Sequence, residues 1–139
     1  MKSLLIKLGV LSIGLLILGN AEVWGADWKP YGSNEQYYYY YDTQSITYPS
    51  KNVVRVWGKM DFTEKGVLNW VGELGKRYEN LSHVIFLMEI NCAEKKSRSL
   101  SDSSYDNKGD VIISSHSPSE WRFIIPETMN ENLYKEICK

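Results

Sequence analysis

The hydrophobic pattern changes period several times along the chain. From Asn52 to Phe62 it alternates: Val54, Val56, Gly58, Met60 and Phe62 share one side, and Val53, Arg55, Trp57, Lys59 and Asp61 the other. Period two marks a strand, and the first set is the side expected to meet a core. His83 to Cys92 is apolar nearly throughout, as in a central strand, with Val84, Phe86, Met88, Ile90 and Cys92 on one face. Val67 to Tyr78 instead spaces Val67, Trp70, Val71 and Leu74 as a helix does, although Gly72 and Gly75 weaken it. Glu64-Lys65-Gly66 reads as the end of the preceding strand, and residues 79–82 as a loop. Thr128-x-x-Glu131 is a capping box that opens a second helix, with Met129, Leu133 and Ile137 in one stripe and Tyr134 and Cys138 beside it.

Shorter signals fill the rest. Asp27–Tyr31 and Gln36–Tyr41 read as strands by β-propensity, joined by Gly32-Ser33-Asn34. Asp42–Ser45 and Pro49–Asn52 read as turns, with Ile46 tucked inward between them. Ser97–Tyr105 and Asp110–Ser115 form a polar hairpin about Asn107-Lys108-Gly109. Residues 116–126, with Pro118 and Pro126, allow one edge strand. The turn spacing fits an antiparallel meander. The predicted class is α+β: an antiparallel sheet of about six strands, a C-terminal helix on one face and a second short helix.

The five consecutive tyrosines of the second strand raise a separate question. Alternation sends Tyr37, Tyr39 and Tyr41 to one face and Tyr38 and Tyr40 to the other. One set is expected under the C-terminal helix. The other either completes an aromatic-rich core, or is exposed, or is covered by the first helix or a second subunit. With Trp57, these tyrosines are the candidate binding or dimer face.

The N-terminus belongs to a different class of segment. Lys2 and Lys7 precede the apolar run Leu8–Leu18, which is too short to cross a bilayer but suits a secretory leader. Cleavage is expected before Ala26, with Glu22 as the alternative, and an uncleaved anchor as the other reading. That divides the chain into a leader, residues 1–25, and a domain over residues 26–139. Without Lys2, Lys7 and Glu22, 14 basic and 16 acidic residues remain, a net charge of −2. Such a chain has no overall electrostatic attraction to nucleic acid or anionic lipid.

Export changes what the two cysteines mean. In an oxidising compartment Cys92 and Cys138 are expected to pair, the alternative being two free thiols. A bridge would fasten the end of the C-terminal helix to the sheet face of Val84, Phe86, Met88 and Ile90. It suits a helix too short to be stable alone.

Catalytic and metal-ligating patterns are not found. His83 and His116 stand in unrelated positions, and no nucleophile elbow, phosphate loop or Cys/His zinc spacing occurs. No catalytic residue, metal or cofactor is assigned. Glu127 and Glu131 suit helix capping. Lys95–Arg98 and Ser97–Asp106 are read as a solvated hairpin, with contact to a charged partner as the alternative.

Several short pieces, in order, resemble the surface-adhesin protein E family. They are Tyr38–Asp42, Ser45-Ile46, Val54–Trp57, Tyr78–His83, Glu89–Cys92, Ser119–Trp121, Ile125–Glu127 and Cys138. The resemblance implies the same sheet, helix and disulfide. It also implies an exported bacterial envelope protein, non-catalytic, whose partner is a protein or an extracellular-matrix-like macromolecule. No leader cysteine offers a lipid anchor like that of the family's namesake, so a periplasmic or released protein is expected, with surface display as a further possibility. The alternatives are a small periplasmic enzyme and a homodimeric accessory protein of the envelope.

Overall fold

A computed structural model describes residues 26–139; the expected leader lies outside the described residues. The strands are β1 (Trp28–Ser33), β2 (Tyr37–Asp42), β3 (Thr47–Ser50), β4 (Val53–Phe62), β5 (Leu81–Asn91), β6 (Lys96–Asp106), β7 (Val111–Ser115) and β8 (Arg122–Phe123). The helices are α1 (Glu64–Leu74) and α2 (Met129–Ile137). All strand pairs are antiparallel, in the order β1-β2-β4-β5-β6-β7. Two short strands extend this order. β3 continues the edge of β4 beside β2, and β8 continues the edge of β6 beside β7. The α+β class and the meander are as predicted. β3 is the addition: Thr47–Ser50 pairs with β4, and the turn narrows to residues 51–52, with Asn52 at a φ of 65°.

The apolar side of β4 and β5 becomes the core floor. Val56 and Ile90 are fully buried, and Tyr31, Tyr41, Met88 and Ile124 pack with them. Ile46 turns in against this cluster, as expected. Gly58 has a reason to lack a side chain, because a Cβ there would collide with the Phe86 ring directly across the pair.

α1 starts three residues before its predicted position. Thr63 caps it, its hydroxyl accepting the Gly66 N–H at 3.2 Å, so Glu64-Lys65-Gly66 is the first turn rather than the end of a strand. Gly66 lies against the Gln36 carbonyl, where a side chain would clash, so the residue that looked like a breaker is what lets the helix approach. Gly75, at a φ of 113°, ends α1, and Lys76–Tyr78 continues as a 3₁₀ turn. Leu81, expected in a loop, is buried at the start of β5.

α2 follows its sequence signature closely. The Thr128 hydroxyl accepts the Glu131 N–H at 3.3 Å, and the Glu131 carboxylate accepts the Glu127 N–H at 3.2 Å. The return bond therefore falls one residue before the cap. Leu133 is fully buried, and Met129 and Ile137 flank it on the core. Cys92 and Cys138 are bonded, with Cα atoms 5.6 Å apart. Two further ties hold α2. Lys95 reaches Glu131 at 2.9 Å, and Glu136 meets both Lys29 and the Tyr41 hydroxyl at 3.2 Å.

Two outcomes follow from this attachment. Cys138→Ser is expected to lower stability by up to about 4 kcal/mol, the loop-entropy value for a 46-residue separation. Amide exchange should rise in residues 128–138 more than in β4 and β5; unchanged melting and exchange would contradict it. Glu131 supplies the second outcome. Its carboxyl is held down to about 2, first by the Lys95 hydrogen bond and then by the Glu127 N–H. A carboxyl depressed in the fold stabilises it fully above the unfolded value near 4.5, and that contribution is lost as pH falls toward 2. Melting temperature should therefore drop between about pH 5 and pH 2, and Glu131→Gln should flatten that slope.

Candidate functional site

The candidate tyrosines separate by parity. Tyr39 and Tyr41 face the core beneath α2, in contact with Tyr31 at ring-centroid distances of 5.7 and 6.2 Å. Tyr37 faces the same way but meets α1. Its ring is edge-on to Phe62 at 5.0 Å, and its hydroxyl accepts the Trp70 indole N–H at 3.2 Å. Phe62, Trp70 and Tyr78 continue that edge-to-face chain. Both helices therefore cover one face of the sheet. Among the described residues, no helix lies over the other face, to which Tyr38, Tyr40 and Trp57 point.

The strand register makes that open face an ordered ladder. Its first row is Tyr38, Asp61, His83 and Tyr105; the next is Tyr40, Lys59, Ile85 and Ser103. Then come Trp57, Leu87 and Ser101, and finally Arg55, Glu89 and Arg98. Tyr38 is 51% exposed and Trp57 38% exposed. Lys59 lies over the Trp28 and Tyr40 rings, 5.0 and 5.1 Å from their centroids, so its charge is presented on an aromatic bed. His83 stacks on Tyr105 at 5.0 Å. Burial lowers the His83 pKa; the Asp61 charge opposes this and Lys59 adds to it, so the ring stays neutral near pH 7.

The last row carries charge into the sheet. Glu89 is 2% exposed and accepts from Arg55 on one side and Arg98 on the other. Burial by itself would raise the carboxyl. Hydrogen bonds from Arg98 and Arg55, with their charges, outweigh it and hold Glu89 ionised below the usual range. Arg98 in turn lies 4.8 Å from the Trp121 ring centroid. Lys95, Lys96 and Arg98 stay partly exposed but point to different partners: Lys95 to Glu131 of α2, Lys96 to the Phe123 ring of β8, and Arg98 to Glu89 on the open face. A lone Glu in the apolar run His83–Cys92, and a lone Arg inside Val53–Val56, were the signals of this network.

The covered face has its own recess, about 320 Å³, floored by Tyr39, Val84, Phe86 and Met88 between Trp70 and Asn130. Among the described residues, no three His, Cys, Asp or Glu side chains converge as a metal site. His116 lies in the exposed segment after β7.

The surface-adhesin protein E family matches residues 28–139. The chain belongs to this family. Membership implies an exported or cell-surface protein of adhesin type. The fold is similar to the structure of Haemophilus influenzae protein E, at 19% identity and a TM-score of 0.50, over 81% of this chain and 91% of that one. It is likewise similar to crystal form II of that protein, at 20% identity and a TM-score of 0.52, over 82% and 95%. At these identities the likeness shows the family's fold alone. A search of curated proteins finds no match.

The exposure of Tyr38 and Trp57 sets a measurable limit on their structural role. Tyr38→Ser, at a half-exposed ring, should cost about 1 kcal/mol in a urea titration, and Trp57→Ser, of which more area is covered, about 2 kcal/mol. A cost of several kcal/mol would mark them as structural residues.

Proposed function

We propose that the protein is a non-catalytic, exported domain that binds a macromolecule, with an extracellular-matrix-like protein as the partner class, through the open face of its sheet. The observation that carries this reading is the asymmetry of the two faces. The core, both helices and the disulfide lie on one side, while Tyr38 and Trp57 stand exposed on the other, with Tyr40 half-buried beneath Lys59 between them. Rigid aromatics on a flat sheet bring large contact area at small entropic cost, which is why such groups dominate binding energy where they occur at interfaces. Lys59 and the arginines add orientation, since charge beside an apolar patch steers and registers a partner more than it tightens binding.

The test is surface plasmon resonance of the mature chain against a panel of purified extracellular-matrix proteins. At least one should bind. A Tyr38→Ser, Trp57→Ser double variant, folded by circular dichroism, should lose at least about tenfold in affinity, as expected for two central aromatics. Equal binding by the variant would place the contact elsewhere, and absence of binding across the panel would overturn the reading.

A further inference from the structure

Glu89 neutralises only one of the two guanidinium groups that hold it. Arg55 turns Nε and one terminal nitrogen to a single carboxylate oxygen, at 3.1 and 2.9 Å. Arg98 does the same to the other oxygen, at 2.8 and 2.7 Å. Each guanidinium has five N–H donors. Among the described residues, the donors turned away from Glu89 meet no other acceptor. They border a notch of about 430 Å³ that also has Lys96 and Trp121 in its wall. Lys96 is balanced by Glu94 at 3.7 Å, so the notch keeps an excess of one positive charge.

The site is organised in advance. Glu89 fixes both guanidinium planes from below, and Trp121 restrains Arg98 from the side. A planar fork of donors held in place matches a carboxylate better than a mobile ammonium does, and loses little freedom on binding. The notch is also continuous with the aromatic face. Trp57 and Leu87 stand two residues along β4 and β5 from Arg55 and Glu89, a distance of about 7 Å.

We propose that this notch is a carboxylate receptor, taking one acidic group of an extended protein segment whose neighbouring apolar side chain lies on Trp57 and Leu87. The proposal rests on the open face being the binding face, and it names the partner's chemistry. A polyanion fits less well: the excess charge is single, Glu94 borders the notch, and the chain after Gly25 is net negative. Glu89 itself repels an incoming carboxylate, so an isolated acid binds weakly and the apolar neighbour supplies the remaining affinity.

The test uses the mature chain at pH 7 and constant ionic strength, titrated with sodium acetate while the arginine Nε–H signals are followed by NMR. Arg55 and Arg98 should shift saturably at millimolar acetate, and Arg77 and Arg122 should not. Glu89→Gln removes the competing charge and should tighten acetate binding by about tenfold; Arg98→Gln should abolish it. Shifts that are linear, or equal at all these arginines, would overturn the receptor. So would a sulfated heparin oligosaccharide that shifts the same signals at far lower concentration than acetate. If acetate fails while the Tyr38 and Trp57 variant still loses matrix binding, the receptor falls and the open-face reading stands. If acetate saturates the notch and no matrix protein binds, the receptor stands and only the open-face partner falls.

Discussion

The bond between Cys92 and Cys138 holds α2 against the side of the sheet that the apolar residues of β4 and β5 line. α2 has 9 residues, too few to hold a helix in water unaided. The bridge joins its last turn to the strand end that carries Ile90, and so brings Leu133 down onto Val56 and Ile90. The ties from Lys95, Lys29 and Tyr41 then fix the helix at both ends. A sheet of this size needs one covered face to supply a core. Once α2 and α1 both take the same face, no other helix of the described residues covers the opposite one.

That consequence explains why the open face is built as it is. A sheet side in water is normally polar. Here the central strands place Ile85, Leu87 and Trp57 between charged rows, and Lys59 is spread over Trp28 and Tyr40. Glu89 is the costly element, an ionised group in the middle of the sheet. Two arginines compensate it, and removing either would leave a buried charge partly unmatched. The same overcompensation leaves donors directed outward. A structural requirement and an anion-binding surface therefore come from one set of side chains.

The covered face shows the opposite logic. Tyr37 joins Phe62, Trp70 and Tyr78 in edge-to-face contacts under α1, while Tyr39 and Tyr41 join Tyr31 under α2. Beside the aliphatic core of β4 and β5, these rings supply further buried area that holds both helices. Gly58 and Gly66 make room for this packing, one beneath Phe86 and the other against Gln36.

Periodicity alone determined a good deal of this protein. The alternation in Val53–Phe62, the apolar run of β5 and the Thr128–Glu131 box are local patterns, and each strand or helix follows from the spacing of its own residues. The pairing of two cysteines in an exported chain is similarly legible, because only one partner exists for each. The start of α1 was not, since Glu64-Lys65-Gly66 becomes a helical turn only when Gly66 can press against Gln36. Nor was the outward parity of the tyrosine strand, which reads equally well either way up. That parity is set by two helices choosing the same face, and the Arg55–Glu89–Arg98 row by the register of three strands. Both are contacts between residues distant in sequence, and only the tertiary structure brings them together.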